Sequence, residues 1–182
     1  EDILKAINKK TKVVSMGSVH WADGTIFDMK KIRKKTSENN ALLIIDGTQS
    51  IGSMPFDLNE IQPDALVCAG YKWLMGPYGS GLAYYGKYFD DGKPIEESWI
   101  NRKGSDDFSN LINYQDKYAK FAKRYSVGQQ SNFINVEMLN EGIKQINKWG
   151  VDNVYNYIKA ISTKYFDMLD KSKVWFEEDE YR

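Results

Sequence analysis

The chain has 182 residues, 42% of them hydrophobic and 14% aromatic, which suits a folded core and argues against disorder. Lys plus Arg and Asp plus Glu both number 25, so there is no net field to draw in nucleic acid or an anionic membrane. One cysteine excludes an intramolecular disulfide, and no apolar run approaches the roughly 20 residues of a spanning helix, so a cytoplasmic protein is expected.

Glu1 to Ile7 opens as amphipathic helix, and residues 12–18 form a short β-rich run. After a loop containing Asp23-Gly24, a helix is predicted from an Asp28 N-cap to about Asn39, with Phe27 placed to pack on Ile32 across the first turn. The basic cluster Lys30–Lys35 lies on this helix and is broken by Ile32, so it reads as a solvated face. Ala41-Leu42-Leu43-Ile44-Ile45 is an unbroken apolar run, expected to be a parallel strand covered on both faces, and it ends at Asp46. A connector with Pro55 and Pro63 leads to a second such run, Ala65–Ala69, which ends at Gly70-Tyr71-Lys72. Cys68 within it reads as a structural thiol.

The turn Gly76–Gly81 sends the chain back into Leu82–Tyr85, a return short enough for an antiparallel strand. Residues 87–132 are irregular and polar, with one helical turn near Tyr118–Lys123. Helices follow at about Asn135–Trp149, stopped by Gly150, and at about Val151–Leu169, before a strand-like Val174-Trp175-Phe176. The alternation predicts an α/β fold in three layers, with a mainly parallel sheet and one antiparallel strand. Both ends read as cut, so a central piece of a longer protein is expected.

Two neighbouring strands thus end in an acid, Asp46, and in an amine, Lys72, at the edge where open parallel sheets bind ligands. An ion pair capping the sheet would place the same two charges there. The flanking residues add more. Asp46-Gly47-Thr48-Gln49-Ser50 and the stretch from Cys68 through Lys72 to Gly76-Pro77-Tyr78-Gly79-Ser80-Gly81 resemble the class V aminotransferase family of fold-type-I pyridoxal-phosphate (PLP) enzymes. That family includes cysteine desulfurases, kynureninase and isopenicillin N epimerase. Its pattern is D-x-x-Q at one strand end, then a lysine followed by a Gly-Pro-x-Gly-x-Gly turn. The D-x-x-Q element alone is weak; joined to the lysine turn at this spacing it is specific, and the resemblance covers most of residues 1–150.

The resemblance implies PLP as cofactor and an amino acid as substrate. Lys72 would form the aldimine and, once displaced by substrate, act as general base at the substrate Cα. Asp46 would hold the ring nitrogen protonated, Gln49 would meet the ring's phenolic oxygen, and Tyr71 would reach the phosphate. Gln129, in Gly128-Gln129-Gln130-Ser131-Asn132, matches a family loop that enters the partner's phosphate site in a homodimer. Cysteine desulfurases carry Ser and His where this chain has Ala69 and Tyr71, which weakens a desulfurase reading. Trp21 stands where desulfurases have a pocket asparagine, so it shapes a cofactor pocket or simply packs; His20 lines the same face or is a plain loop residue.

Residues 1–150 are thereby expected to belong to the PLP-binding large domain, with 151–182 leading into a small domain. The family's phosphate loop, ring-stacking aromatic and substrate-binding arginine are expected outside the chain. Residues 1–182 alone should bind PLP weakly and turn over no substrate, and the reaction stays open. A transferase is the main reading and a lyase of desulfurase or kynureninase type the alternative. A third reading, from another class, is a non-covalent nucleotide-binding module. It requires a phosphate loop opening a helix, whereas the Gly76–Gly81 turn is predicted to open a strand. No metal, nucleic acid or membrane partner is expected.

Overall fold

The computed structural model describes residues 1–126, 132–170, 172–175 and 181. Strands β1 (Val13–Gly17), β2 (Leu42–Asp46), β3 (Ala65–Ala69) and β4 (Gly81–Tyr85) form one sheet in the order β1-β2-β3-β4. The first three run parallel and β4 returns antiparallel to β3. Helices α1 (Asp2–Ala6), α2 (Met29–Glu38) and α3 (Leu58–Ile61) are interleaved with the strands, and α4 (Phe133–Trp149) and α5 (Val151–Phe166) follow. Between β4 and α4, short 3₁₀ turns replace regular structure.

Local chemistry sets these boundaries. Asp28 caps α2, its carboxylate accepting the Lys31 N–H at 2.9 Å. The proline-flanked connector holds α3, a single turn that its prolines conceal in the sequence. Its signal is Asp57, which accepts the N–H groups of Asn59 and Glu60, with Glu60 at the third helical position as in a capping box. The helical turn expected near Tyr118–Lys123 is a 3₁₀ turn over Phe121–Tyr125, and Val174 and Trp175 lie outside any strand.

Side chains alternate along the strands, so each face of the sheet has its own environment. Leu43 and Ile45, both 0% exposed, lie with Leu66 and Cys68 on the face that packs against Ile7, Met29, Ile32 and Ile61. Ile44, Asp46 and Val67 share the opposite face, where Val67 is 42% exposed. Among the described residues β2 is therefore covered fully on one face only, not on both as its apolar run predicted. Segment 87–126 reaches that second face at β4, where Tyr85 stacks on Tyr125 with ring centroids 4.7 Å apart.

Asp64 joins three elements. Its Oδ2 accepts the Leu43 N–H at 2.8 Å and Arg33 Nη1 at 2.7 Å, tying α2 and β2 to the start of β3. Leu43→Ala empties the most enclosed part of this core and should cost about 2–5 kcal/mol. A denaturant midpoint that falls accordingly, with unchanged slope, checks it.

Candidate active site

The carboxyl ends of β2 and β3 lie side by side, Asp46 being level with Val67. Beyond Asp46 the chain turns sharply and is fastened on both sides. Asp46 Oδ1 accepts the Thr48 N–H at 2.9 Å. Gly47 N–H donates to Val67 O at 2.8 Å, and Ala69 N–H donates to Thr48 Oγ1 at 3.0 Å. Toward β1, the buried hydroxyls of Ser18 and Ser50 meet at 2.6 Å. Gln49 sits half-buried within this fastened turn. At Gly47 a Cβ would come within 2.5 Å of Ile51 Cγ1, so the turn closes tightly only on glycine.

Lys72 is half-buried, on a loop whose backbone is closed upon itself. Gly70 N–H donates to Ser80 O and Gly76 N–H to Gly70 O, both at 2.8 Å, and Met75 N–H donates to Lys72 O at 3.0 Å. Helix α4 seats directly behind this loop: a Cβ on Gly142 would lie 2.3 Å from Leu74 O, and one on Gly76 would lie 2.6 Å from Leu139 Cδ1. On the solvent side the Tyr71 ring stacks on Tyr78, and Lys72 Nζ lies 5.8 Å from the Tyr71 ring centroid. The turn Gly76–Gly81 opens β4, a strand, which fits no helix-opening phosphate loop.

Among the described residues neither Asp46 nor Lys72 joins an ion pair. Asp46 ends β2 and Lys72 lies in the loop just after β3, and the two are not joined as a simple capping pair among the described residues. Two cavities among the described residues, of about 440 Å³ beside Trp99 and Arg102 and about 530 Å³ beside Ile3 and Phe27, are lined by neither residue. The Asp46–Lys72 edge is open, and it is the chemistry of the strand ends, not enclosure, that marks it.

Trp21 lies on the loop after β1, which His20 N–H closes onto Thr25 O at 2.8 Å. Trp21 is 78% exposed among the described residues. His20 Nδ1 lies 2.8 Å from Asp23 Oδ1, so the histidine is engaged within its own loop. Hydrogen bonds from Thr25, backbone first, and from His20 hold the Asp23 carboxyl down at about 2. Gln129 lies outside the described residues.

Cys68 is buried beneath the Asp46 turn, with its Sγ 3.7 Å from Gly47 O. Burial first, and the Asp46 charge second, push its thiol up to about 11. The thiol should thus resist disulfide reagents at pH 8 in the native protein and react fully in denaturant, as timed thiol titration will show. The folded state keeps a proton that the unfolded chain releases near the ordinary value of 9.0, so this contribution to stability is complete below that value and disappears as pH rises to about 11.

Comparison with known proteins places the chain. It matches the Aminotransferase class-V family over residues 1–176. It is 30% identical over 156 residues to the uncharacterized aminotransferase YcbU of Bacillus subtilis (strain 168), covering 85% of this chain and 40% of that protein. A probable cysteine desulfurase of Pyrococcus abyssi is 28% identical over 169 residues, covering 92% of this chain and 41% of the relative. Among solved structures, the apo cysteine desulfurase of Thermococcus onnurineus NA1 aligns with a TM-score of 0.78 at 24% identity, over 98% of this chain and 43% of that one. The cystine C-S lyase C-DES, in complex with its product cysteine persulfide, aligns at 0.75 with 22% identity, over 87% and 42%. The chain spans about two fifths of the length of the curated relatives it matches. With the family match extending over residues 1–176, the chain belongs to the class V aminotransferase family of PLP-dependent enzymes.

Proposed function

We propose that this chain is the central part of the large domain of a PLP-dependent enzyme acting on an amino acid, most closely an aminotransferase of class V. The observation that carries the reading is the placement of Asp46 at the end of β2 and of Lys72 just beyond the end of the adjacent strand β3, neither in an ion pair among the described residues. The donor set fits the cofactor. A primary amine suits its aldehyde, a carboxylate suits its ring nitrogen, an amide suits its phenolic oxygen, and a tyrosine hydroxyl suits its phosphate.

When bound, PLP supplies an electron sink for the pair of electrons left at the substrate Cα. Lys72 Nζ first anchors the cofactor, then takes the proton from Cα. Asp46 keeps a proton on the ring nitrogen by placing negative charge against it. Gln49 orients the ring through its phenolic oxygen, Tyr71 donates to the phosphate, and the exposed Trp21 forms one wall of the site. Gln129 is assigned to the phosphate site of a partner in a homodimer on the family resemblance alone. Residues 151–182 lead into a small domain, and the whole enzyme is cytoplasmic.

A lyase acting at a C–S bond is the second reading, favoured by the cysteine desulfurases among the relatives. Ala69 and Tyr71 stand against it, because they replace the serine and histidine that flank the desulfurase lysine. The test uses the whole protein with PLP. Visible absorbance that borohydride bleaches, with the reduced cofactor recovered on the Lys72 peptide, establishes the cofactor. Assays for keto acid, alanine and sulfide release then separate transferase from lyase.

A further inference from the structure

The loop that presents Lys72 is fixed from behind, by its own backbone hydrogen bonds and by α4, but its working side chains face outward. Tyr71 and Trp73 are 39% and 38% exposed, so the core does not restrain them. The group that meets the Tyr71 ring is Tyr78, with centroids 4.4 Å apart and ring planes 16° from parallel, a close stacked pair. Tyr78 stands on firmer backbone. Pro77 precedes it with a fixed φ, Gly79 follows at φ +80°, where glycine is at ease, and Asn135 Nδ2 of α4 donates to Tyr78 O at 3.3 Å. Yet the Tyr78 side chain is itself 78% exposed and makes no contribution to the core, so burial does not explain an aromatic residue there.

We propose that Tyr78 is a positioning residue for cofactor binding: its ring, carried on a rigid turn, holds the Tyr71 ring beside Lys72 by stacking. The inference rests on the PLP reading above and extends it to a residue at the variable position of the Gly-Pro-x-Gly turn. A held Tyr71 keeps its hydroxyl in one place for an anionic partner. It also keeps an electron-rich face near Lys72 Nζ, 5.8 Å away, which narrows the range of the lysine's flexible stem. Without the stack, Tyr71 must be ordered at the moment the cofactor binds, and that ordering weakens affinity.

The experiment measures the PLP dissociation constant of the whole protein, the visible circular dichroism of the retained cofactor, and the thermal midpoint. The variants are Tyr78→Ala and Tyr78→Phe, each alone and combined with Tyr71→Ala. Tyr78→Ala should weaken PLP roughly 2- to 10-fold, the worth of one aromatic pair, and reduce the circular dichroism with the thermal midpoint unchanged. Tyr78→Phe, which keeps the stack, should match wild type. In the Tyr71→Ala background Tyr78→Ala should have no further effect. Unchanged affinity in Tyr78→Ala overturns the inference alone, as does a Phe variant as impaired as Ala, an additive double variant or a large fall in thermal midpoint. A wild-type protein that retains no PLP overturns the functional reading and the inference with it.

Discussion

Replacing Lys72 with alanine is expected to abolish covalent retention of PLP by the whole protein and to lower turnover by roughly 10²- to 10⁴-fold or more, the usual worth of a positioned general base. The loop carrying Lys72 is closed by the Gly70–Ser80 and Gly76–Gly70 hydrogen bonds and backed by α4, which fixes the position of this amine. Trp73 and Tyr71, its neighbours, carry no amine. Lys72→Arg should be as defective, since a guanidinium stays charged and cannot serve as the nucleophile. The check is gel filtration followed by absorbance and intact mass after borohydride. A Lys72→Ala protein that keeps a borohydride-fixed cofactor would remove the assignment. The fold should persist, because Lys72 is in no ion pair among the described residues.

Asp46→Asn should leave cofactor binding measurable while slowing Cα proton removal about 10²- to 10³-fold, the scale of a lost electrostatic contact at a reacting centre. The substitution is nearly isosteric, and the amide oxygen can still accept the Thr48 N–H, so the fastened turn has a reason to survive. What disappears is the negative charge facing the ring nitrogen. Exchange of the substrate α-proton for deuterium, followed by NMR, isolates this step from product release. Exchange at the wild-type rate would make Asp46 a structural cap of β2. The same substitution should also bring the Cys68 thiol down slightly, because Asp46 is the second cause of its elevation. That effect gives a readout independent of turnover.

Much of the fold could be read from the residues because its signals are local. Apolar runs of five residues mark β2 and β3, Asp28 marks the start of α2, and Gly150 separates α4 from α5. The strand-end pair Asp46 and Lys72 was legible for the same reason. What escaped depends on partners far apart in sequence. An apolar run such as Leu42–Ile45 does not say which of its faces will meet a helix, and here Leu43 and Ile45 do while Ile44 lies on the more open side. Prolines at 55 and 63 masked the one-turn α3, though Asp57 and Glu60 carried its capping pattern. The contacts of Ser18 with Ser50, and of Tyr71 with Tyr78, exist only once the strands and the lysine loop have closed.

Asp64 sits at the end of the sheet away from the chemistry, and its consequence is felt at the other end. Strands β2 and β3 pair only from Ile44 beside Ala65 to Asp46 beside Val67, too short a ladder to define its own alignment firmly. The Asp64 carboxylate adds a charged rung by taking the amide of Leu43 while Arg33 of α2 holds it in place. Alternation makes an error of one residue total: a slip of β2 by one position would turn Asp46 into the apolar layer beneath α2 and bring Ile45 out to the open edge. The rung therefore acts as a ratchet stop. Together with the five-residue ladder between β1 and β2, it fixes the phase of β2 so that a carboxylate, and not a hydrocarbon, arrives at the open edge.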